Sequence, residues 1–373
     1  MINGISVLIP CAGRVTLLEE LLKSVHLARQ DFLYPTEVLL LDNSRIEEKE
    51  KVKKLAEKFG VSYHDGSNNI SQKRNQGAEL ASYNLILFLD SDCMVDRHIL
   101  QEHFNAYTSS SIGGCLGLLR FVGEDTDTWK SVERTGVLGC FHIADDQKST
   151  IWGPTANISF RRDAFLAVEG FDIAFSQPGG EDVDLGIRLS NAGWQIVCNS
   201  GAIAYHTKKT WSSFWQVYER FLRYGAADAL LIKKHLSHTM TDFPLSTHYA
   251  ALLLLFALLW VPLTGFYSLV LPILWAISSV LIYAVLTQNR TVVKEEVSWY
   301  ISAQELILLS SLDIGRLIGA FKHRAPSAFY KRIIFFDEQL SLDWPGVSFS
   351  SLASILALII SLTGFSFLIG LMK

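Results

Sequence analysis

Three pairs of aspartates separated by a single residue stand in this chain: Asp90/Asp92, Asp125/Asp127 and Asp182/Asp184. On an extended segment, carboxylates at that spacing point the same way and can face one ion. Their oxygens are hard ligands suited to Mg2+ or Mn2+, ions that in turn hold diphosphates. The spacing alone is too common to decide anything, so the flanking residues must. Asp90-Ser91-Asp92 closes the apolar run Leu85-Ile86-Leu87-Phe88-Leu89, a strand that delivers both carboxylates to its C-terminal end. Open parallel sheets bind ligands at that edge. Asp125 and Asp127 follow no such strand and read as a solvated loop. Glu181-Asp182 comes after Gly179-Gly180 and opens a helical pattern over 183–191. Acidic residues suit the positive end of a helix dipole, and a carboxylate there can also deprotonate an attacking group. Together these groups support metal-assisted displacement of a diphosphate, with a base beside it.

Such groups need a scaffold, and the first part of the chain alternates strands and helices. Strand patterns over 5–10, 37–41, 61–64 and 85–89 alternate with helical patterns over 16–28, 47–59, 71–81 and 95–108. Gly60 is placed to stop the second helix. This order predicts a parallel, doubly wound sheet.

The second part has a different character. Hydrophobic residues make up 49% of the 373 residues, and mean hydropathy is +0.24. The excess lies in a nearly uncharged stretch over 249–286 and another over 352–371. A bilayer core needs about 20 apolar residues per helix. The first stretch is long enough for a transmembrane hairpin turning at Pro262-Leu263-Thr264-Gly265, and the second for a further span. Between them, Ser302, Glu305, Asp313 and Arg316 share one face at helical spacing, an interfacial amphipathic pattern. Arg290, Lys294, Arg316, Lys322, Arg324, Lys331 and Arg332 place that loop on the cytosolic side by the positive-inside rule. Met1-Ile2-Asn3-Gly4 leads straight into a strand, so the first 240 or so residues are expected in the cytosol. Five scattered cysteines without C-x-x-C spacing suit reduced thiols that fill the core. A net charge of −4, with no basic patch interleaved with aromatics, argues against a nucleic-acid partner.

A series of landmarks in one order makes the likeness specific. Val7-Leu8-Ile9-Pro10 with Arg14, Leu40-Leu41-Asp42-Asn43-Ser44, Lys73-Arg74-Asn75-Gln76-Gly77 and Phe88-Leu89-Asp90-Ser91-Asp92 come first. Gly153-Pro154-Thr155-Ala156-Asn157, Gly170-Phe171-Asp172, Gly179-Gly180-Glu181-Asp182, Ala192-Gly193-Trp194 and Tyr205-His206 follow. In these the chain resembles a family 2 glycosyltransferase with the GT-A fold, of the membrane-anchored bacterial type. The resemblance implies an α/β catalytic domain with a Rossmann-like mixed sheet over 1–245. It would be followed by a membrane domain over 246–373: a hairpin about 249–286, an interfacial helix about 300–320 and a last span about 351–371.

Residue roles follow from the likeness. Pro10, Arg14, Asp42, Arg74, Asp90, Ser91 and Asp92 would bind the nucleotide sugar. Asp90, Asp92 and His206 would hold Mn2+ or Mg2+. Asp182, with Glu181, would be the general base of an inverting transfer. Trp152 and Trp194 could stack on sugar rings, and Asn157 belongs to the acceptor side. Arg220 and Arg223, one helical turn apart, could clamp the diphosphate. The expected partners are a nucleotide-diphosphate sugar, a lipid-linked or glycan acceptor and membrane lipids. The expected place is the inner cell membrane, multi-pass, with catalysis on the cytosolic side. Cys11-Ala12-Gly13 departs from the family's usual Tyr or Asn after the first proline. The Q-x-x-R-W motif of processive synthases is absent, which favours transfer of one or a few sugars. Two other classes stay open at this stage: a nucleotidyltransferase, which lacks here a glycine-rich phosphate loop near the N-terminus, and a non-catalytic membrane scaffold with a transferase-like domain.

Overall fold

The computed structural model describes residues 2–241, 246–287, 298–335 and 349–372, and Arg290 and Lys294 lie outside them. The chain divides into two compact units. The first comprises 1–124, 137–210 and 335–340, the second 125–136, 211–334 and 341–373.

The first unit opens with β1 (Ile5–Cys11), α1 (Val15–Asp31), β2 (Thr36–Asp42), α2 (Ile46–Phe59), β3 (Ser62–Asp65), α3 (Ile70–Leu80) and β4 (Leu85–Leu89). All seven residues of β1 and all five of β4 are buried, as expected of strands covered on both faces. Helix α1 meets the sheet through Leu18, Leu21, Leu22, Val25 and Ala28, a single stripe at helical spacing. Gly60 caps α2 in the left-handed conformation, φ 60°, which glycine adopts without a Cβ penalty.

Beyond β4 the chain forms β5 (Cys93–Val95), α4 (Ile99–Asn105) and β6 (Ile112–Val122). It continues through α5 (Asp127–Arg134), which belongs to the second unit. Then come α6 (Ile143–Asp146), β7 (Ser149–Thr150), β8 (Asn157–Arg161), α7 (Arg162–Ala167), α8 (Glu181–Asn191) and β9 (Gln195–Thr207). The sheet order is β3-β2-β1-β4-β8-β6-β9-β5, with β7 beside β9. Pairing is parallel from β3 to β4, as the alternating pattern predicted. It becomes mixed where β8 runs antiparallel between β4 and β6. The helix expected over 95–108 starts later, because Val95 pairs with Ala204 of β9 and its N–H donates to Ser24 Oγ.

The second unit is helical: α9 (Phe214–Lys234), α10 (Ser246–Thr264), α11 (Val270–Thr287), α12 (Trp299–Lys322) and α13 (Phe349–Met372), with a small ribbon of β10 (Thr239–Thr241) and β11 (Lys331–Ile333). A boundary at 245 would give α9 to the catalytic domain; α9 instead packs along α12 within this unit. Their backbones touch. A Cβ on Gly225 would lie 1.9 Å from Leu312 O, and one on Gly315 2.1 Å from Leu222 O. Thr247–Thr264 in α10 and Phe266–Thr287, which runs from the turn through α11, are long and apolar enough to cross a membrane. Pro262 lies inside α10, and the turn comes just after it, at Gly265–Leu269. The apolar run described in α13, Leu352–Ser366, is shorter. Ser302, Glu305 and Arg316 of α12 do share a face, and that face is buried. Arg134 and Tyr283 bond Glu305, and Ser131 bonds Gln304, so these two buried polar side chains are satisfied inside the unit. Exposed Tyr300, Ile307, Ile314, Ile318 and Phe321 form the outer stripe.

All five cysteines are free thiols, four of them buried. Asp125 and Asp127 are exposed, and Asp127 opens α5 behind the Thr126 N-cap.

Candidate active site

At the C-terminal end of β4 the chain turns at once: Cys93 N–H donates to Asp90 O at 3.1 Å. An extended segment would have aimed Asp90 and Asp92 together, but this turn separates them. Asp92, 7% exposed, accepts from Arg14 Nη1 at 2.6 Å and lies 3.4 Å from His206 Nε2. His206 arrives through the antiparallel pairing of β5 with β9, which sets Cys93 opposite it. Its Nδ1 lies 3.1 Å from Thr207 O. A carbonyl only accepts, so Nδ1 carries the hydrogen, and in the neutral ring Nε2 offers a lone pair. That lone pair and Asp92 Oδ1 then face each other, an arrangement that fits a cation with a backbone carbonyl orienting the imidazole. Cys93 Sγ belongs to the same cluster. Burial and the neighbouring Asp92 and Asp90 push its thiol well up, so it packs as a neutral group.

Asp90 faces the other way, 3.4 Å from Arg74 Nη2. Arg74 is 4% exposed and sends Nη1 to Glu181 Oε1 at 2.6 Å. Glu181, 2% exposed, also accepts from Gly179 N–H at 2.6 Å. Gly179 and Gly180 take φ values of 129° and 87°, a path closed to side chains with a Cβ, and this folds the chain tightly into the start of α8. Asp182 is more open and accepts from Val183 N–H. Partial burial first and adjacent Glu181 second push its carboxyl up to about 8, with Arg74 pulling the other way.

The third corner lies at the ends of β1 and β2. Asp42 is buried and accepts from Ser44 N–H at 2.9 Å, Tyr63 Oη at 3.0 Å, Cys11 Sγ at 3.3 Å and the Ser44 hydroxyl. Its carboxylate is therefore occupied by the protein itself. Pro10 is buried in β1 opposite Leu41, and Ser91 is buried in the β4 turn. Sequence reasoning missed Lys73. Its Nζ donates to Cys11 O at 2.9 Å and to Asn43 Oδ1, and burial lowers its ammonium to about 8. Its place next to Arg74 was the available signal.

Within the first unit, Asn157, Trp152 and Trp194 stand apart from this cluster. Asn157 is completely buried, bonded to His103 Nε2, Leu118 O and Ala202 O, so it joins strands and contacts no acceptor. Trp152 is buried under Phe335, whose carbonyl takes its indole N–H at 2.5 Å. Trp194 sits just before β9, at the opposite end of that strand from His206, against Gly113. Arg220 and Arg223 belong to the second unit, where the Arg220 guanidinium lies 3.9 Å over the Trp211 ring.

The comparison with known families decides the class. The family model described as Glycosyl transferase family group 2 matches residues 85–287, more than half of the chain. The chain belongs to the family 2 glycosyltransferases. This glycosyltransferase is 27% identical over 216 residues to validoxylamine A glucosyltransferase of Streptomyces hygroscopicus subsp. jinggangensis, covering 50% of this chain and 51% of that one. It is 25% identical over 180 residues to the glucosyl-dolichyl phosphate glucuronosyltransferase of Haloferax volcanii, covering 42% of this chain and 56% of that one. The chain thus spans about half the length of these curated relatives. The mannosyltransferase PcManGT from Pyrobaculum calidifontis, solved with GDP-Man and Mn2+, superposes with a TM-score of 0.53 at 14% identity, over 85% of this chain and 87% of that one. That likeness shows the GT-A fold.

Proposed function

We propose that this glycosyltransferase is inverting and metal-dependent, moving a sugar from a nucleotide-diphosphate donor to a hydroxyl of a lipid-linked or membrane-associated glycan. The observation that carries the reading is the proximity of two acidic corners bridged by one guanidinium: Asp90 on one side, Glu181-Asp182 on the other. Asp182 takes the proton of the acceptor hydroxyl as that oxygen bonds to the anomeric carbon. The bond from carbon to diphosphate breaks on the opposite face, and one displacement inverts the centre. Asp92 and His206 would hold the divalent cation, Mn2+ or Mg2+, which when bound neutralises charge on the leaving diphosphate. The Mn2+ in the similar mannosyltransferase structure supports this choice.

The membrane part of the proposal places catalysis at the cytosolic face of the cell membrane. Helices α10 and α11 form the spanning hairpin, α13 supplies a last span, and α12 lies along the interface. The two long apolar helices and the exposed stripe of α12 support this seating. The dolichyl phosphate in the name of the Haloferax relative supports a lipid-linked acceptor.

The test is nucleoside diphosphate release by detergent-purified protein, using UDP-, GDP- and dTDP-sugars with Mn2+, Mg2+ or chelator, and membrane lipid extract as acceptor. Metal-dependent release from one donor, lost in Asp92→Ala, is expected. Release that persists in chelator would overturn the metal assignment. Equal activity of a fragment ending near 240 on a soluble acceptor would overturn the lipid-linked one.

A further inference from the structure

We propose that Arg74 is a positioning residue that locks the base corner against the end of β4, rather than the nucleoside contact its place in the motif implies. The chemistry it serves rests on the transferase reading above.

The side chain is closed to a ligand by burial, its Nε included, although that donor has no partner among the described residues. Its two terminal nitrogens go to Glu181 Oε1 at 2.6 Å and Asp90 Oδ1 at 3.4 Å, its face lies 5.5 Å from the Phe171 ring, and it is 4% exposed. A planar fork can join two carboxylates on different elements in a way a single ammonium cannot. Here it ties the turn after β4 to the first residue of α8.

Arg74 does not act alone. Its helix, α3, is stitched to the segment that leads into α8. Asn69 Nδ2 donates to Ile173 O at 2.8 Å, and Ser71 Oγ to Phe175 O at 2.7 Å. Asn75 both donates to Phe171 O and accepts from Phe171 N–H, each at 2.8 Å. Ser71 and Asn75 are one turn apart on α3, Asn69 caps its start, and each meets backbone of the same loop. A loop that also contains Gly179 and Gly180 has little stiffness of its own. Helix α3 acts as the ruler that sets where Asp182 stands relative to the strand end, and Arg74 is its charged contact on both sides.

The experiment compares Arg74→Lys and Arg74→Gln with the unaltered full chain in detergent. Three quantities are measured. They are kcat and KM for the donor that turns over from the panel, binding of UDP, GDP and dTDP with Mn2+ by calorimetry, and amide hydrogen exchange across 170–185. Positioning predicts that Arg74→Gln lowers kcat about 100-fold, the scale of a 1 Å misplacement. Arg74→Lys, which keeps charge and one contact, should recover part of it. Donor KM and nucleotide affinity should stay within about threefold. Exchange should rise over 170–185 while β1 and β4 keep their protection. A rise of about tenfold or more in KM and nucleotide Kd, with kcat and exchange unchanged, would make Arg74 a nucleoside contact and overturn the proposal. If Arg74→Gln fails to fold, Arg74→Lys carries the same split. Absence of diphosphate release by the unaltered chain would remove the transferase reading, and the exchange arm would still decide what Arg74 holds.

Discussion

Arg134 and Arg316 in the helical unit pair with Glu305 and Asp228, whereas Arg74 in the sheet unit lies between two carboxylates and feels a third. The helical pairs are Arg134 to Glu305 at 2.9 Å and Arg316 to Asp228 at 3.6 Å. Around Arg74 stand Glu181, Asp90 and Asp182. Burial first, with a smaller push from Asp313, raises Asp228 to about 6 while Arg316 draws it back. At Asp182 the adjacent Glu181 is the next cause after burial, outweighing Arg74, and the value reaches about 8. One-to-one pairing is what a structural ion pair needs. Around Arg74 the acids outnumber the cation, with Glu181 buried and Asp90 and Asp182 partly open, and such an excess favours taking up a proton or a cation. The surplus therefore marks the working site, and the balanced pairs mark the frame.

The sharpest break of this contrast is Asp182→Asn. Removing a general base is expected to lower kcat/KM about 100- to 10,000-fold, without loss of thermal stability. The base works ionised, so kcat/KM of the unaltered chain should rise with pH and level off above about 8. Stability runs the other way. The folded pKa lies above the unfolded value of about 3.9, so the preference for the neutral acid is fully present below that value and is lost as pH rises through about 8. Tm measured in chelator should therefore fall between pH 7 and 9, and fall less in the Asn variant. Undiminished kcat/KM in that variant would show that the surplus acid is not the base.

The second break concerns the frame. Arg316→Met leaves Asp228 buried without its cation between backbones that touch, and is expected to destabilise the chain by about 3–5 kcal/mol. Asp228→Leu together with Arg316→Met should recover most of that, since an apolar pair of similar size replaces an ion pair at little net change. Thermal unfolding in detergent measures both, and activity per folded molecule should hold. A single variant as stable as the unaltered chain would show that balanced pairs are not structural here.

These regions differ also in how far they could be read in advance. The strand at 85–89, its acidic turn and the acidic start of α8 are local patterns: a short apolar run and a pair of glycines before a helix. Hence the sheet order near β1 and the candidate residues Asp92, Glu181 and Asp182 are visible without a structure. The partners of those residues are not. His206 comes to Asp92 through a register, Cys93 opposite His206, that no local pattern encodes. The buried polar face of α12 follows the same rule: helical spacing showed that Ser302, Glu305 and Arg316 share a face, but only Arg134, Asp228 and Tyr283 from other elements make it the inner one. Asn157 reads in its motif as a polar residue facing a ligand, but its amide satisfies carbonyls of β6 and β9, partners that no local pattern encodes.

The smallest expected effect sharpens the contrast from outside the site. Trp194 was a candidate for stacking on a sugar, as exposed aromatics of binding sites often do. It lies one residue before β9, whose far end carries His206. β9 bulges against β6, so the span is read from β6, where Ile112 faces Gln195 and Phe121 faces His206; at about 3.3 Å per strand residue this is roughly 30 Å, more than a monosaccharide can bridge. Its contact is with Gly113, where an added Cβ would come within 2.8 Å of the Trp194 Cβ. Trp194→Ala should therefore leave kcat/KM within about twofold and lower stability by about 1–3 kcal/mol, the cost of removing part of a packed aromatic surface. A tenfold loss in kcat/KM with unchanged Tm would mean that the acceptor extends along β9, and the boundary between working site and frame would then have to be redrawn through this strand.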